Sequence, residues 1–145
     1  MKKELDTMKF LDKQHEQNYN QMLQRDNTYP TDNERCAMFY ILSGNKDLIS
    51  KVNHIYDFED HSIRPNCLDS KWVDLSSSSK SLVRLAFNLY NNYIDDHTSP
   101  LSLLYNLDDR NYTLALNSIN TRFGMIEITK ERDIEEIEEE DELEL

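Results

Sequence analysis

Thr31-Asp32-Asn33-Glu34-Arg35-Cys36-Ala37-Met38-Phe39-Tyr40-Ile41-Leu42-Ser43-Gly44 is the stretch on which the fold turns. Its central residues, 36–42, are apolar without a break. Such a run fits a buried strand as well as a buried helix, so the flanks must arbitrate. Thr31 can accept from the first free amides of a helix, and Glu34, three residues on, can reach back to it, the reciprocal pattern of a capping box. Gly44 stands where a helix commonly ends in a left-handed residue. Cap and stop together predict a helix over residues 32–43, buried on most of its sides.

On the N-terminal side, Met8, Leu11, His15, Tyr19 and Met22 recur at spacings of three and four, which predicts a helix over 8–25. Asp26-Asn27 ends it and Pro30 follows. On the C-terminal side, Asn45 can cap a helix over 46–56, with Leu48, Ile49, Val52, Ile55 and Tyr56 inward. The Gly44-Asn45 joint is short enough to make these two helices neighbours. A further helix is expected over 79–93, where Leu82, Val83, Leu85, Ala86, Phe87, Leu89, Tyr90 and Tyr93 cover most of the perimeter. Arg84, Asn88 and Asn91 form its polar stripe, and it is expected at the centre of the core. Ser99-Pro100 opens a short turn over 100–105. Asp108 caps a last helix over 109–123, with Tyr112, Ala115, Leu116, Ile119 and Phe123 inward and Gly124 closing it. Residues 57–78 lack a helical period, and a structureless run of about 20 residues is long for a compact domain. Short strands or a helical turn are expected around Lys71-Trp72-Val73.

The expected fold is therefore all-α, a single compact domain of about five helices around a central apolar helix. It spans residues 1–126, and an acidic tail over 127–145, disordered or loosely helical, follows. The chain has 145 residues, with only two glycines and three prolines, too few for a loop-rich or all-β protein. Two glycines also exclude a phosphate-binding loop or a dinucleotide fingerprint. No GxSxG, HExxH or paired CxxC occurs. No apolar run approaches the ~20 residues of a membrane span. No apolar stretch follows the two N-terminal lysines, so no signal peptide is expected and a cytoplasmic setting is. Cys36 and Cys67 follow no metal or redox spacing and are expected as free thiols.

The net charge is −12 and is unevenly placed. Residues 127–145 hold eleven acids against two bases, a net −9, whereas the remaining residues carry 17 acids against 14 bases, a net −3. The body lacks the basic excess of a nucleic-acid binder, so no direct nucleic-acid contact is expected. The tail carboxylates of Asp133, Glu135, Glu136, Glu138, Glu139, Glu140, Asp141, Glu142 and Glu144 suit a basic protein partner, because spaced carboxylates imitate a line of phosphates. Such attraction is screened over ~8 Å at physiological salt. The same tail can equally be a solubilising appendage. Trp72, the single tryptophan, is a partner anchor if exposed and core if buried.

Chemistry is densest in His54-Ile55-Tyr56-Asp57-Phe58-Glu59-Asp60-His61, with Cys67 six residues on. Imidazole, carboxylate and thiolate can hold a divalent ion, which makes His54, Asp57, His61 and Cys67 the candidate ligands. Their spacing matches no helical ligand pair, and a helix end entering a polar loop explains the same residues, so no metal and no cofactor are expected. Ser76-Ser77-Ser78-Ser79-Lys80 can bind an anion at a helix start or can be a simple cap. His15 lies on an apolar stripe, as a satisfied core histidine does, and His97 lies in a polar loop.

Four stretches together resemble a family. They are Leu23-Gln24-Arg25-Asp26-Asn27-Thr28, Phe39-Tyr40-Ile41-Leu42-Ser43-Gly44-Asn45, Lys51-Val52-Asn53-His54-Ile55-Tyr56-Asp57-Phe58 and Ser81-Leu82-Val83-Arg84-Leu85-Ala86-Phe87-Asn88-Leu89-Tyr90-Asn91. Over about residues 8–123 the chain is similar to small uncharacterised proteins of Firmicute bacteria, their phages and mobile elements. That resemblance implies a cytoplasmic setting and a mobile-element origin, brings no catalytic residue, and leaves the acidic tail as an addition of this chain. Three functions stay open. One is a non-enzymatic interaction module, inhibiting a basic nucleic-acid-binding host or defence protein through phosphate-mimicking contacts. Another is a metal-dependent or enzymatic protein using the 54–61 cluster. The third is a helical assembly protein with a solubilising tail.

Overall fold

The computed structural model describes residues 9–69 and 71–124. The all-α expectation holds: seven α-helices and one two-stranded hairpin make up these residues. In chain order they are α1 (Lys13–Asp26), α2 (Asn33–Leu42), α3 (Lys46–Ser50), α4 (Val52–Ile55), β1 (Tyr56–Asp57), β2 (Ser62–Ile63), a 3-10 turn (Pro65–Leu68), α5 (Ser77–Asn91), α6 (Pro100–Leu104) and α7 (Asp109–Arg122). Among the described residues no helix is long and apolar enough to cross a membrane.

Six of the seven helix starts are fixed by a side-chain oxygen that accepts an otherwise orphaned amide, whereas α4, which follows Lys51 directly, has no such cap. Asp12 does this for α1, Asn45 for α3, Ser76 for α5, Ser99 for α6 and Asp108 for α7. For α2 the cap is Asp32, which accepts from the Arg35 amide at 3.1 Å, one residue past the expected Thr31. Glu34 therefore does not close a capping box and reaches Arg122 of α7 at 3.4 Å instead. Asn27 and Asn92, at φ 60° and 66°, end α1 and α5 in the left-handed region, which asparagine tolerates better than most residues.

The centre of the core is α2 rather than the expected 79–93 helix. Every residue from 36 to 42 is at most 3% exposed, because α1, α5 and α7 all pack on α2. Helix α5 buries Leu82, Val83, Leu85, Ala86 and Phe87, but its C-terminal turn, Leu89 and Tyr90 included, is only half-buried.

Helix α7 turns inward a face rotated from the one expected: Ala115 is buried and Ile119 packs on the core as expected, but the rest of the expected face does not. Leu114, Ala115, Ser118 and Thr121 are buried, whereas Tyr112, Leu116 and Phe123 are exposed. The small side chains of that face let α7 approach α2 closely, and Leu114 lies directly over Gly44. A β-carbon on Gly44 would overlap Leu114 Cδ1. Gly44 is thus required for space, not for a left-handed backbone; the glycine with positive φ is Gly124, at 68°.

The expected 46–56 helix breaks at Lys51, whose φ of −119° and ψ of 14° leave the helical region. Tyr56–Asp57 then pairs antiparallel with Ser62–Ile63, in the register Tyr56↔Ile63 and Asp57↔Ser62. Hence the short strands or helical turn expected near Lys71-Trp72-Val73 lie earlier in the segment, as this hairpin and the 3-10 turn Pro65–Leu68. The Asp57 carboxylate folds the hairpin loop by accepting the amides of Glu59 and Asp60, each at 3.0 Å.

Candidate functional site

The last turn of α1, the first turn of α2 and the hairpin meet at one buried carboxylate, that of Asp26, 3% exposed. Asp26 Oδ1 accepts from the Tyr56 hydroxyl at 2.9 Å and from His61 Nδ1 at 2.7 Å. Its Oδ2 accepts from the Thr28 hydroxyl at 2.6 Å and faces Arg35 Nε at 3.6 Å. An acid at a helix C-terminus opposes the helix dipole, and Arg35 supplies the compensating charge. Arg35 Nη2 continues the network, donating to the His61 carbonyl at 3.2 Å and to the Tyr90 hydroxyl at 3.0 Å. Burial, and then the neighbouring Asp26 carboxylate, push the Tyr56 phenol above its ordinary range.

His61 is held from both ends, through its ring by Asp26 and through its carbonyl by Arg35. Its backbone sits at φ 55°, the left-handed turn that brings the hairpin back. A residue other than glycine there costs roughly 1–2 kcal/mol. The ring is about half exposed, at 49% of its side-chain surface. Nδ1 is bonded to a buried carboxylate and Nε2 has no hydrogen-bond partner among the described residues, the orienter-and-base arrangement of general acid–base chemistry.

The other candidate ligands do not join His61. His54 is exposed on α4, Asp57 pairs with Arg64 at 3.2 Å, and Cys67 is buried at 1% exposure. Burial pushes the Cys67 thiol up to about 12. Among the described residues no group of three or more His, Cys, Asp or Glu side chains stands where it could hold a metal ion.

Trp72 is 91% exposed. The reason is local: Val73 and Leu75 point inward, at 8% and 6% exposure, and the alternation turns Trp72 and Asp74 outward. Lys51 Nζ donates to the Asp74 carbonyl and pairs with Asp47, which ties this loop to α3. Asp69, Lys71 and Asp74, neighbours of Trp72 in sequence, are exposed. The remaining expected partner contacts, Asp133 to Glu144, lie outside the described residues.

Among the other singled-out residues, His15 is a core histidine, bonded to the Tyr40 carbonyl at 2.9 Å. Arg84 Nε pairs with Asp95 at 2.9 Å, and Asn88 Nδ2 donates to the Tyr93 carbonyl at 3.0 Å. Sequence reasoning missed Asp26, Arg35, Tyr56 and Tyr90 as a group with His61. Asp26 and His61 lie 35 positions apart, and no spacing rule links them; only the Asp-Asn pair that ends α1 stood out locally.

The chain belongs to DUF6075, a family of unknown function whose pattern matches residues 5–136. The match runs past residue 123 and takes in the first half of the acidic segment, so residues 127–136 are not an addition of this chain alone. No curated protein and no solved structure matches the chain.

Proposed function

We propose that the protein is a non-enzymatic interaction module, in which the Trp72 loop and the acidic residues 127–145 engage a basic protein partner. The observation that carries this reading is the 91% exposure of the single tryptophan on a loop whose neighbours Val73 and Leu75 are anchored in the core. An indole held in solvent by a fixed loop is a ready anchor, since tryptophan is enriched among residues that dominate binding energy. Exposed Asp69 and Asp74, which flank it in sequence and outnumber Lys71, favour a basic counterpart. In this reading the setting is the cytoplasm of a Firmicute carrying a phage or mobile element. The partner is a nucleic-acid-binding host or defence protein, held off by carboxylates in place of phosphates. The unpaired thiols of Cys36 and Cys67 support a reducing compartment.

The test compares affinity captures from a Firmicute lysate by the full chain, by Trp72→Ala and by a 1–126 truncation, at low and moderate salt. A basic protein held by the full chain, released by salt and lost from both variants is the expected result. Identical captures by all three would remove the proposal.

A second reading has its own observation, the His61 ring held at 2.7 Å by buried Asp26. Here His61 Nε2 is a general acid or base. Hydrolysis of an activated ester at neutral pH should then fall in His61→Gln and in Asp26→Asn; an unchanged rate in His61→Gln would end this reading.

A further inference from the structure

A cavity of about 220 Å³ opens between the first turns of α5, the loop before α6, and α6 itself. Its wall includes Lys80 and Arg84 from α5, His97 from the loop, and Ser102 and Asn106 from α6 and the turn after it. Among the described residues its lining holds no carboxylate, in a chain whose net charge is −12.

The cationic groups here are poorly balanced by the protein. Lys80 and Arg84 stand at i and i+4 on one helix face, where like charges repel. Lys80 is half-buried and has no carboxylate partner among the described residues. Arg84 spends only Nε on Asp95, at 2.9 Å, and among the described residues its Nη groups are unbonded. Asp95 thereby fixes the guanidinium while leaving its fork free for a planar, multi-oxygen anion. Asn106 also lines the cavity and carries an amide donor, Nδ2. Ser77, Ser81 and Ser102 add hydroxyls to the wall.

We propose that this cavity binds a small phosphomonoester, with Lys80 and the Arg84 fork on the phosphate and the serine hydroxyls on a short hydroxylated skeleton. A dianion relieves the repulsion between Lys80 and Arg84, and the three terminal oxygens of a phosphate match an ammonium and a two-pronged guanidinium together. The volume admits a phosphate with a few carbon atoms.

Calorimetric titration of the full chain at constant ionic strength tests the assignment, with glycerol 3-phosphate, inorganic phosphate and glycerol as probes. Saturable binding of the ester, weaker binding of phosphate and none of glycerol are expected. Lys80→Gln should weaken the ester about tenfold through one lost charge-assisted contact. Arg84→Lys should weaken it too, since it keeps a charge but lacks the fork. Ligand-induced thermal stabilisation of the full chain provides a second readout. Failure of the wild-type chain to bind the ester, or equal binding by Lys80→Gln, overturns the site. Phosphate binding as tightly as the ester overturns the assignment of an esterified ligand.

Discussion

His15 Nε2 donates to the Tyr40 carbonyl at 2.9 Å while His15 Nδ1 accepts from the Leu11 amide at 3.2 Å. Both ring nitrogens are committed in the neutral tautomer, and a second proton on Nδ1 would face an N–H. The residue is 1% exposed. Burial holds its pKa below the ordinary 6.5, against a smaller opposing pull from the Tyr40 carbonyl. The unfolded chain therefore takes up a proton near 6.5 that the folded chain refuses until lower pH. Stability is full above 6.5 and falls as the pH drops below it, by at most ~1.4 kcal/mol per pH unit. Urea midpoints between pH 7.5 and 5 should show this slope in the wild type and lose it in His15→Gln. A midpoint independent of pH over that range would contradict the assignment.

Gly44 packs beneath the same ring. An added β-carbon would overlap Leu114 Cδ1 and come within 3.0 Å of His15 Nε2. Gly44→Ala should cost about 1–3 kcal/mol through overpacking. Paired with Leu114→Ala, it should cost less than the two separate losses added together, because the second change vacates the contested space. Chemical denaturation of the three variants measures the coupling; strict additivity would place the strain elsewhere.

Features set by neighbours in sequence were legible there. Asn45, Ser76, Ser99 and Asp108 lie within three residues of the amides they accept, and all but Ser76 stood out as caps. The polar stripe of α5 was also read, and Arg84 and Asn88 do hydrogen-bond along it. Features set by tertiary space were not. Gly44 has the same letter whether it frees φ or makes room, and only Leu114, 70 positions on, decides. The inward face of α7 follows from how closely α2 approaches, which favours Ala115 and Ser118 over the larger Tyr112 and Phe123. The break at Lys51 follows from Tyr56 leaving to pair with Ile63, against an apolar period that would have continued the helix. The Asp26–His61 contact needs the hairpin to exist before it can be seen.

Both thiols should be inert in the folded chain. Cys67 is 1% exposed with its pKa pushed up to about 12 by burial, and burial also raises that of Cys36, 3% exposed. The thiolate is the reactive form, so neither cysteine should react with a chromogenic disulfide at pH 8 faster than the chain opens. Two equivalents should react at once in strong denaturant. A thiol that reacts in the folded chain at its denatured rate would refute the burial.

Trp72 should contribute little to folding. At 91% exposure its replacement by alanine should change the unfolding free energy by less than ~0.5 kcal/mol. As the single tryptophan it also reports directly: emission of the native chain should be that of a solvated indole and shift little on unfolding. A blue-shifted native emission, or a large loss of stability in Trp72→Ala, would show the indole packed rather than presented.

Asp26 should be the costliest polar residue to neutralise. Its carboxylate is 1% exposed and serves Tyr56, His61, Thr28 and Arg35 together. Asp26→Asn keeps the shape but leaves the Arg35 charge without its buried counterpart, a change worth about 3 kcal/mol, the low end for a broken buried pair because Asp32 stands 3.6 Å away on the same guanidinium. Tyr56→Phe loses one hydrogen bond to that charge, about 1.5–3 kcal/mol. Because the two residues share one bond, the double variant should fall short of additivity by roughly 1 kcal/mol. His61→Gly stands apart: it loses its bond to Asp26 but relieves a left-handed backbone worth roughly 1–2 kcal/mol. It should therefore lie closer to wild type than Asp26→Asn. Urea denaturation of the four variants at pH 7.5 orders them, and an Asp26→Asn chain as stable as wild type would mean that this cluster does not hold the hairpin to α1 and α2.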